Sequence, residues 1–307
     1  MKLLAIDGNS IVNRAFYGIR PLNAPDDTPT NAIYGFFSMV DRLKKELKPD
    51  AIAVAFDMHS PTFRHDMYDE YKAGRHETPD ELRSQIALLK DLLRDFAIPV
   101  LECEHYEADD ILGTLARQCT AEGHECFIYT GDKDSLQLVD DKVTVYLPHT
   151  KPGGTETLVY DKAKIAADFG GLTPKQLIDV KALQGDSSDN IPGVAGVGPK
   201  TAITLIAKYG SLENMYDVIA QTPEKGKLQD KLMDGKDSAL FSQTLGTICT
   251  NAPIDCRVSD LRPGKPNRDI VLEDLTALGL NRFIQQWKLD EPELEVPHEE
   301  IDEDTIR

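Results

Sequence analysis

The stretch KLLAIDGNS at residues 2–10 sets an unbroken apolar run against an acid at its end, and the pattern returns in AIAVAFD at 51–57 and CFIYTGD at 126–132. Each run is short and rich in Val, Ile, Ala or aromatic residues, which predicts a strand buried on both faces. Pro99–Leu101 and Val143–Leu147 are further apolar runs, and 157–160 is a short candidate strand. Stretches of helical period separate them: Asn31–Leu47, Pro79–Phe96 and Ala108–Glu122. Strand and helix in alternation predict an α/β domain with a mainly parallel central sheet flanked by helices. Sheets of that kind place ligands on the loops after the carboxyl ends of their strands. Asp7, Asp57 and Asp132 each stand at such an end.

The pattern changes after Tyr160. It becomes mostly helical, with breaks at Gly170-Gly171, Gly185, Pro192–Gly198 and Gly210. This predicts an α/β core over 1–160 and a helical subdomain over 161–288. Helices are expected at 173–184 and 199–209, and one or two more over 271–288. Residues 288–307 hold nine acids against two bases. The acidic, Pro-containing stretch 289–307 reads as a disordered tail or interdomain linker.

The formal net charge is −18, which disfavours an anionic partner if it is spread evenly. It is not spread evenly. Those nine acids and nine more in the clusters described next carry nearly all of it, so the remaining surface is near neutral and can form basic patches. No apolar run is long enough to span a bilayer. The N-terminal segment turns acidic at Asp7, which does not suit a signal peptide. Cys103, Cys119, Cys126, Cys249 and Cys256 are odd in number and show no C-x-x-C spacing, which predicts reduced thiols. A cytoplasmic monomer with no membrane partner is expected.

The clustered acids are Asp7; Asp57; Glu107, Asp109 and Asp110 in EADDI; Asp132 and Asp134 in GDKD; and Asp186 and Asp189 in GDSSDN. Taken singly, each has an ordinary explanation, because acids suit helix N-termini and polar loops. Taken together they bring hard oxygen ligands from several strand ends, as phosphodiester hydrolysis by two ions ~4 Å apart requires. A calcium loop does not fit, since Leu136 stands where the next ligand should follow Asp132 and Asp134.

Two further stretches suit nucleic acid. GVAGVGPKT at 193–201 is no P-loop, because Pro199 separates Gly198 from Lys200 and no strand precedes it. A tight hairpin between two helices fits better, with the backbone N–H groups around Gly193, Gly196 and Gly198, and the charge of Lys200, holding a phosphate. FRHDMYDEYKAGRH at 63–76 mixes Arg64, Lys72, Arg75 and His76 with Phe63, Tyr68 and Tyr71, so cations could meet phosphates while rings stack on bases. A surface helix with buried tyrosines is the plain alternative. Arg14, soon after Asp7, is a weaker contact candidate.

DGNS at 7–10, FD at 56–57, EADD at 107–110, TGDKD at 130–134 and GDSSDNIPGVAGVGPKTA at 185–202 closely resemble the 5′-nuclease (5′-3′ exonuclease) domain of bacterial DNA polymerase I, in the flap endonuclease superfamily. The resemblance runs over about residues 1–288. It implies a structure-specific nuclease with both 5′-3′ exonuclease and flap endonuclease activity, serving primer removal and DNA repair. The cofactor it implies is Mg²⁺, with Mn²⁺ able to substitute. By the same resemblance, Asp7, Asp57, Glu107 and Asp109 group near one ion and Asp132, Asp134 and Asp189 near the other. Asp110 and Asp186 are outer ligands or serve a more distant ion. Residues 61–78 resemble the family's helical arch, with Tyr71, Lys72 and Arg75 at its aromatic and basic positions. Residues 185–209 resemble a helix–hairpin–helix that holds duplex DNA, with K⁺ bound there. The implied partners are DNA with 5′ flaps, nicks or 5′ ends, and a covalently following polymerase domain.

Overall fold

Leu3, Leu4, Ala5 and Ile6 are all shut off from solvent, which sets the strand that carries them at the centre of the sheet. The computed structural model describes residues 1–75, 77–151, 154–221 and 226–291. His76 and the acidic segment from 292 onward lie outside them. The strands are β1 (Lys2–Asp7), β2 (Ala51–Ala55), β3 (Val100–Leu101), β4 (Glu125–Tyr129), β5 (Val143–Lys151) and β6 (Gly154–Tyr160). They form one sheet in the order β3-β2-β1-β4-β5-β6. The first five pair in parallel and β6 returns antiparallel to β5. β1 has β2 on one side and β4 on the other, so the chain reverses its direction of winding there, and a crevice opens beyond the strand ends at such a point.

The helices of the first half are α1 (Gly8–Gly18), α2 (Asn31–Leu47), α3 (Phe63–Met67), α4 (Asp80–Asp95) and α5 (Ala108–Glu122). α1 had no counterpart in the strand-and-helix pattern. It starts directly from Asp7, whose carboxylate accepts the Ser10 N–H and caps it, and it buries Ile11, Val12 and Ala15. Period two along β1 sends Leu3 and Ala5 to one face and Leu4 and Ile6 to the other. The first face packs against Ile111, Leu112 and Leu115 of α5. The second packs against Phe36 and Phe37 of α2 and Leu89 and Leu93 of α4. Each of those phenylalanines contributes roughly 1.5–3 kcal/mol by leaving water.

The second half contains α6 (Lys162–Asp168), α7 (Gln176–Gln184), α8 (Pro199–Tyr209), α9 (Leu212–Gln221), α10 (Lys227–Asp234), α11 (Lys236–Gly246), α12 (Arg268–Ala277) and α13 (Asn281–Gln286). Residues from Leu172 to Ala239 share a separate apolar core. The chain after it returns to the sheet: Ala252, Val258 and Leu261 join one face, and Val271, Leu275 and Phe283 join the other. The span 161–288 is therefore not one packing unit. Its terminal helices are amphipathic pieces of the α/β core, which helical period alone does not reveal. β5 also outruns its expected end at Leu147, because the polar HTK that follows pairs with β6 in an exposed hairpin.

Gly193, in the loop between α7 and α8, has φ +61°, and a Cβ there would lie 2.3 Å from the backbone nitrogen of Gly185. Gly193→Ala should lower unfolding stability by about 3 kcal/mol, from strain and overpacking together. Gly198→Ala has nothing within 4 Å of its Cβ and should cost less than about 1 kcal/mol, the ordinary loss at a helix N-cap. Urea unfolding of the two variants checks the contrast.

Candidate metal and nucleic-acid site

The acids arrive by four local devices. Asp7 ends β1, and its second oxygen accepts the Thr130 hydroxyl at 2.7 Å. Asp57 follows β2; its backbone N–H is held by Asn9 at 2.9 Å, and its Oδ1 accepts the Ala108 N–H at 2.7 Å. Glu107 and Asp110 form a capping box on α5, the Glu107 N–H bonding Asp110 at 3.0 Å. Asp132 caps the short 3-10 turn Lys133–Leu138, accepting from the Asp134 N–H at 2.8 Å. Asp7, Asp57, Glu107, Asp109 and Asp132 line one cavity of about 1180 Å³, together with Lys72 and Arg75.

A second group lies beside it. One carboxylate oxygen each from Asp134, Asp186 and Asp189 falls within 4.8 Å of the others. Asp132 lines the cavity and also accepts the Asp134 N–H, so it adjoins both groups, and Asp186, expected only as an outer or more distant ligand, stands with Asp134 and Asp189. The reason is the turn that joins Asp186 to Ile191 by two backbone bonds of 2.8 Å, which folds Asp186 back beside Asp189.

Crowding shifts the protonation of these groups. Burial raises Asp7 to about 7, and the nearby charges of Asp57 and Asp132 push the same way. Asp109 is raised by burial and by Asp132 and Asp7. Asp57 rises too, by desolvation, but it opens onto the cavity, where water screens it. Asp134 is raised by burial to about 6, with Lys181 pulling against the rise. Asp186 is held at about 2: desolvation raises it, but hydrogen bonds from Ser188 and Lys181 outweigh that.

Cations from the chain itself sit against both groups. Lys72 Nζ meets Glu107 at 2.6 Å, and Arg75 pairs with Asp189. The Lys72 N–H also bonds the Asp189 carbonyl at 3.0 Å, so one short segment spans the two groups. Lys181 Nζ pairs with both Asp134 and Asp186. Sequence reasoning missed Lys181; its one signal was a lone cation inside the apolar IDVKALQ of α7.

Three expected nucleic-acid contacts lie elsewhere. Arg64 is 2% exposed and forks both terminal nitrogens onto Asp110 at 2.8 Å. It also donates to Glu107 and to the carbonyls of Leu245 and Thr247, which exhausts its donors inside the protein. Asp110, wholly buried in this pair and bonded by the Cys249 N–H, is correspondingly closed to a metal. Tyr71 is buried as well and donates to Glu107 at 3.2 Å, so its ring is not presented to a base. Gly193 gives its N–H to Ser242 at 2.9 Å, leaving none for a phosphate. Gly196 and Gly198 remain exposed on the loop before α8, Lys200 is exposed in its first turn, and Arg14 lines the cavity. Among its described residues the segment 61–78 is helical only over Phe63–Met67; beyond it the chain turns inward to seat Tyr71 and Lys72. Among the described residues no helix is long and apolar enough to cross a membrane, and all five cysteines are free.

A mainly parallel sheet whose strand ends deliver carboxylates to one cavity, with a helical unit behind it, defines an acid-lined α/β nuclease core. Two family models match it: "5′-3′ exonuclease, N-terminal resolvase-like domain" over residues 2–170 and "5′-3′ exonuclease, C-terminal SAM fold" over 172–269. The chain belongs to the 5′-3′ exonuclease family. It is 43% identical over 294 residues to DNA polymerase I of Bacillus subtilis (strain 168), covering 96% of this chain and 33% of that one. DNA polymerase I of Chloroflexus aurantiacus is 41% identical over 272 residues, 88% of this chain and 29% of that one. The chain thus spans about a third of the length of these relatives. A zinc-bound T5 5′-exonuclease superposes with TM-score 0.65 at 22% identity, covering 95% of this chain and all of that one. The catalytic core of Rad2 in complex with DNA substrate gives 0.61 at 20%, covering 94% and 92%. At those identities the likeness establishes a shared fold.

Two predictions follow from the ionic network. Arg64→Ala should destabilise the protein by about 3–5 kcal/mol, because Asp110 is then buried without its partner; a role in DNA contact would instead lower affinity and leave unfolding unchanged. Without metal, Asp7 and Asp109 hold protons more tightly folded than unfolded, so stability must fall as pH rises between the unfolded value and about 7. Asp186 shifts the other way, but its contribution is complete once pH exceeds the unfolded value near 3.8. Urea unfolding in a chelator should show a loss of a few kcal/mol from about pH 5 to about pH 8, and excess Mg²⁺ should remove most of the slope.

Proposed function

We propose that this chain is a structure-specific 5′ nuclease that hydrolyses DNA phosphodiesters with two divalent ions, acting as a 5′-3′ exonuclease and flap endonuclease in primer removal and DNA repair. The observation that carries this reading is the convergence of acids from three strand ends, the start of α5 and the Asp186–Asp189 turn on two adjoining groups, each faced by cations from the chain. The donors are all carboxylate oxygens, which suit Mg²⁺ or Mn²⁺ and not a thiolate-seeking metal. Asp7, Asp57, Glu107, Asp109 and Asp132 would hold one ion, and Asp134, Asp186 and Asp189 the other. Asp110 acts through Arg64 by fixing Glu107. Bound divalent ions lower the pKa of a coordinated water and offset charge on phosphoryl oxygens.

The chain's own residues do the remaining work. Lys72 and Arg75 now neutralise Glu107 and Asp189; with those acids neutralised otherwise, both can turn to the scissile phosphate and stabilise its developing charge. Tyr71 orients Glu107 through its hydroxyl, and in this role replaces the base-stacking first expected of it. Gly196 and Gly198 before α8, with Lys200 in its first turn, would track the duplex backbone without reading sequence, with K⁺ as the ion of that loop. DNA with 5′ flaps, nicks or 5′ ends is the substrate, the protein acts as a monomer, and a polymerase domain joined to it is the covalent partner the relatives suggest.

Cleavage of a labelled 5′-flap DNA with Mg²⁺ and with chelator tests the reading; absence of any metal-dependent product sinks it. Asp109→Ala should abolish cleavage and leave DNA binding largely intact. Lys72→Ala should slow cleavage by roughly 10²–10³ while weakening binding far less. An RNA flap run in parallel separates this substrate from an RNA-directed nuclease of similar core.

A further inference from the structure

The wall of the cavity built by α1, α2 and the β5–β6 hairpin carries charge of a different kind. Arg42 Nη2 donates to the Tyr129 hydroxyl at 3.2 Å and to the Thr157 hydroxyl at 2.9 Å. Arg14 donates to the Thr150 hydroxyl. Among the described residues neither arginine pairs with an acid, whereas Lys72 and Arg75 on the same cavity both do. Hydroxyl partners fix the plane of a guanidinium without neutralising it, and each fork keeps further N–H donors. Both charges also act on one group: burial raises the Tyr129 phenol, and Arg42 and Arg14 pull it back down. Tyr17, on the same wall, is 69% exposed, an uncommon placement for a ring of that size, and its edge is held by Phe16 at a centroid distance of 5.0 Å.

Two oriented, unneutralised guanidinium groups beside an exposed ring match the chemistry of one nucleotide: a phosphate for the fork and a base for the ring. Tyr129 ends β4, three residues before Asp132, so this wall adjoins the acids. We infer that Arg42, together with Arg14, contacts a DNA phosphate on this wall and that Tyr17 stacks on the adjoining base, so that the cavity grips a nucleotide next to the cleaved bond as well as the bond itself. The inference rests on the proposed nuclease reading and adds Arg42 and Tyr17 to it.

Equilibrium binding of the 5′-flap DNA tests it, measured in an Asp109→Ala background with Mg²⁺ over a range of salt. Arg42→Gln removes the charge while keeping a polar amide on the same wall. It should weaken binding about tenfold at ~0.1 M salt and reduce the salt slope by about one contact. Tyr17→Ala should weaken binding by a similar factor with the slope unchanged, because stacking releases no counterion. In the otherwise native enzyme both variants should raise KM by more than they lower kcat. Arg42→Ala serves as a third variant, and thermal unfolding shows whether each is folded. Unchanged affinity and slope in folded Arg42→Gln and Tyr17→Ala, with the native enzyme cutting DNA, would overturn the inference and leave the nuclease reading standing. A native enzyme that cuts no DNA would overturn both.

Discussion

One guanidinium holds the site's parts in register. Arg64 reaches from the short helix after β2 to Asp110 and Glu107 at the start of α5 and to the carbonyls of Leu245 and Thr247 at the end of α11. Three segments far apart in sequence therefore converge on one side chain. Such a pair gains little net stability over a well-packed apolar substitute, because both charges lose their hydration. What it secures is position. Glu107 is aimed into the cavity because Arg64 and Asp110 hold its backbone and one oxygen from behind, and Tyr71 is seated against the same oxygen.

Carboxylates packed this closely repel one another and lose solvation, and the shifts at Asp7, Asp109 and Asp134 record both costs. The chain offsets part of that cost with Lys72, Arg75 and Lys181. These contacts differ from structural ion pairs in what they neutralise. On the proposed two-ion reading, Lys72 and Arg75 sit on carboxylates that hard cations would also satisfy and would be exchangeable with them, whereas Lys181 is itself buried. Arg64 is not exchangeable, since it is enclosed and its donors are spent. The buried pair and the cavity pairs thus separate Arg64, enclosed among its partners, from Lys72 and Arg75, which line the cavity.

The strand ends were legible in the sequence because two independent signals coincide there: an apolar run that must be buried, and an acid that must not be buried alone. α2, α5 and α8 agree with the helical period to the residue, and a glycine or proline follows each within two residues of its end. The chemistry of 63–76 was less legible. Composition marks FRHDMYDEYKAGRH as basic and aromatic, but it cannot tell which cation faces inward, because that depends on Asp110 and on α11, more than a hundred residues further along. Gly193 misled for a similar reason: a glycine in a hairpin reads as a phosphate cradle, whereas here its N–H and its missing Cβ answer to Ser242 and Gly185. The return of 268–286 to the sheet was invisible because an amphipathic helix does not name the surface it covers.

The net charge changes meaning once it is placed on the fold. A polyanion approaching a protein of charge −18 meets repulsion only where the acids are uncompensated. Here the acids of the site are drawn into two groups and faced by lysine and arginine, while the wall bearing Arg14 and Arg42 stays positive. The field inside the cavity is therefore graded, negative at the strand ends and positive along α1, α2 and the hairpin. On the proposed reading, a phosphodiester would meet the positive wall before the acids, which its own charge repels. It can then be brought against the carboxylates only when cations, from the chain or from solution, lie between them. Such a gradient favours binding that is ordered in space: backbone contact first, and approach to the acids only where positive charge already bridges them.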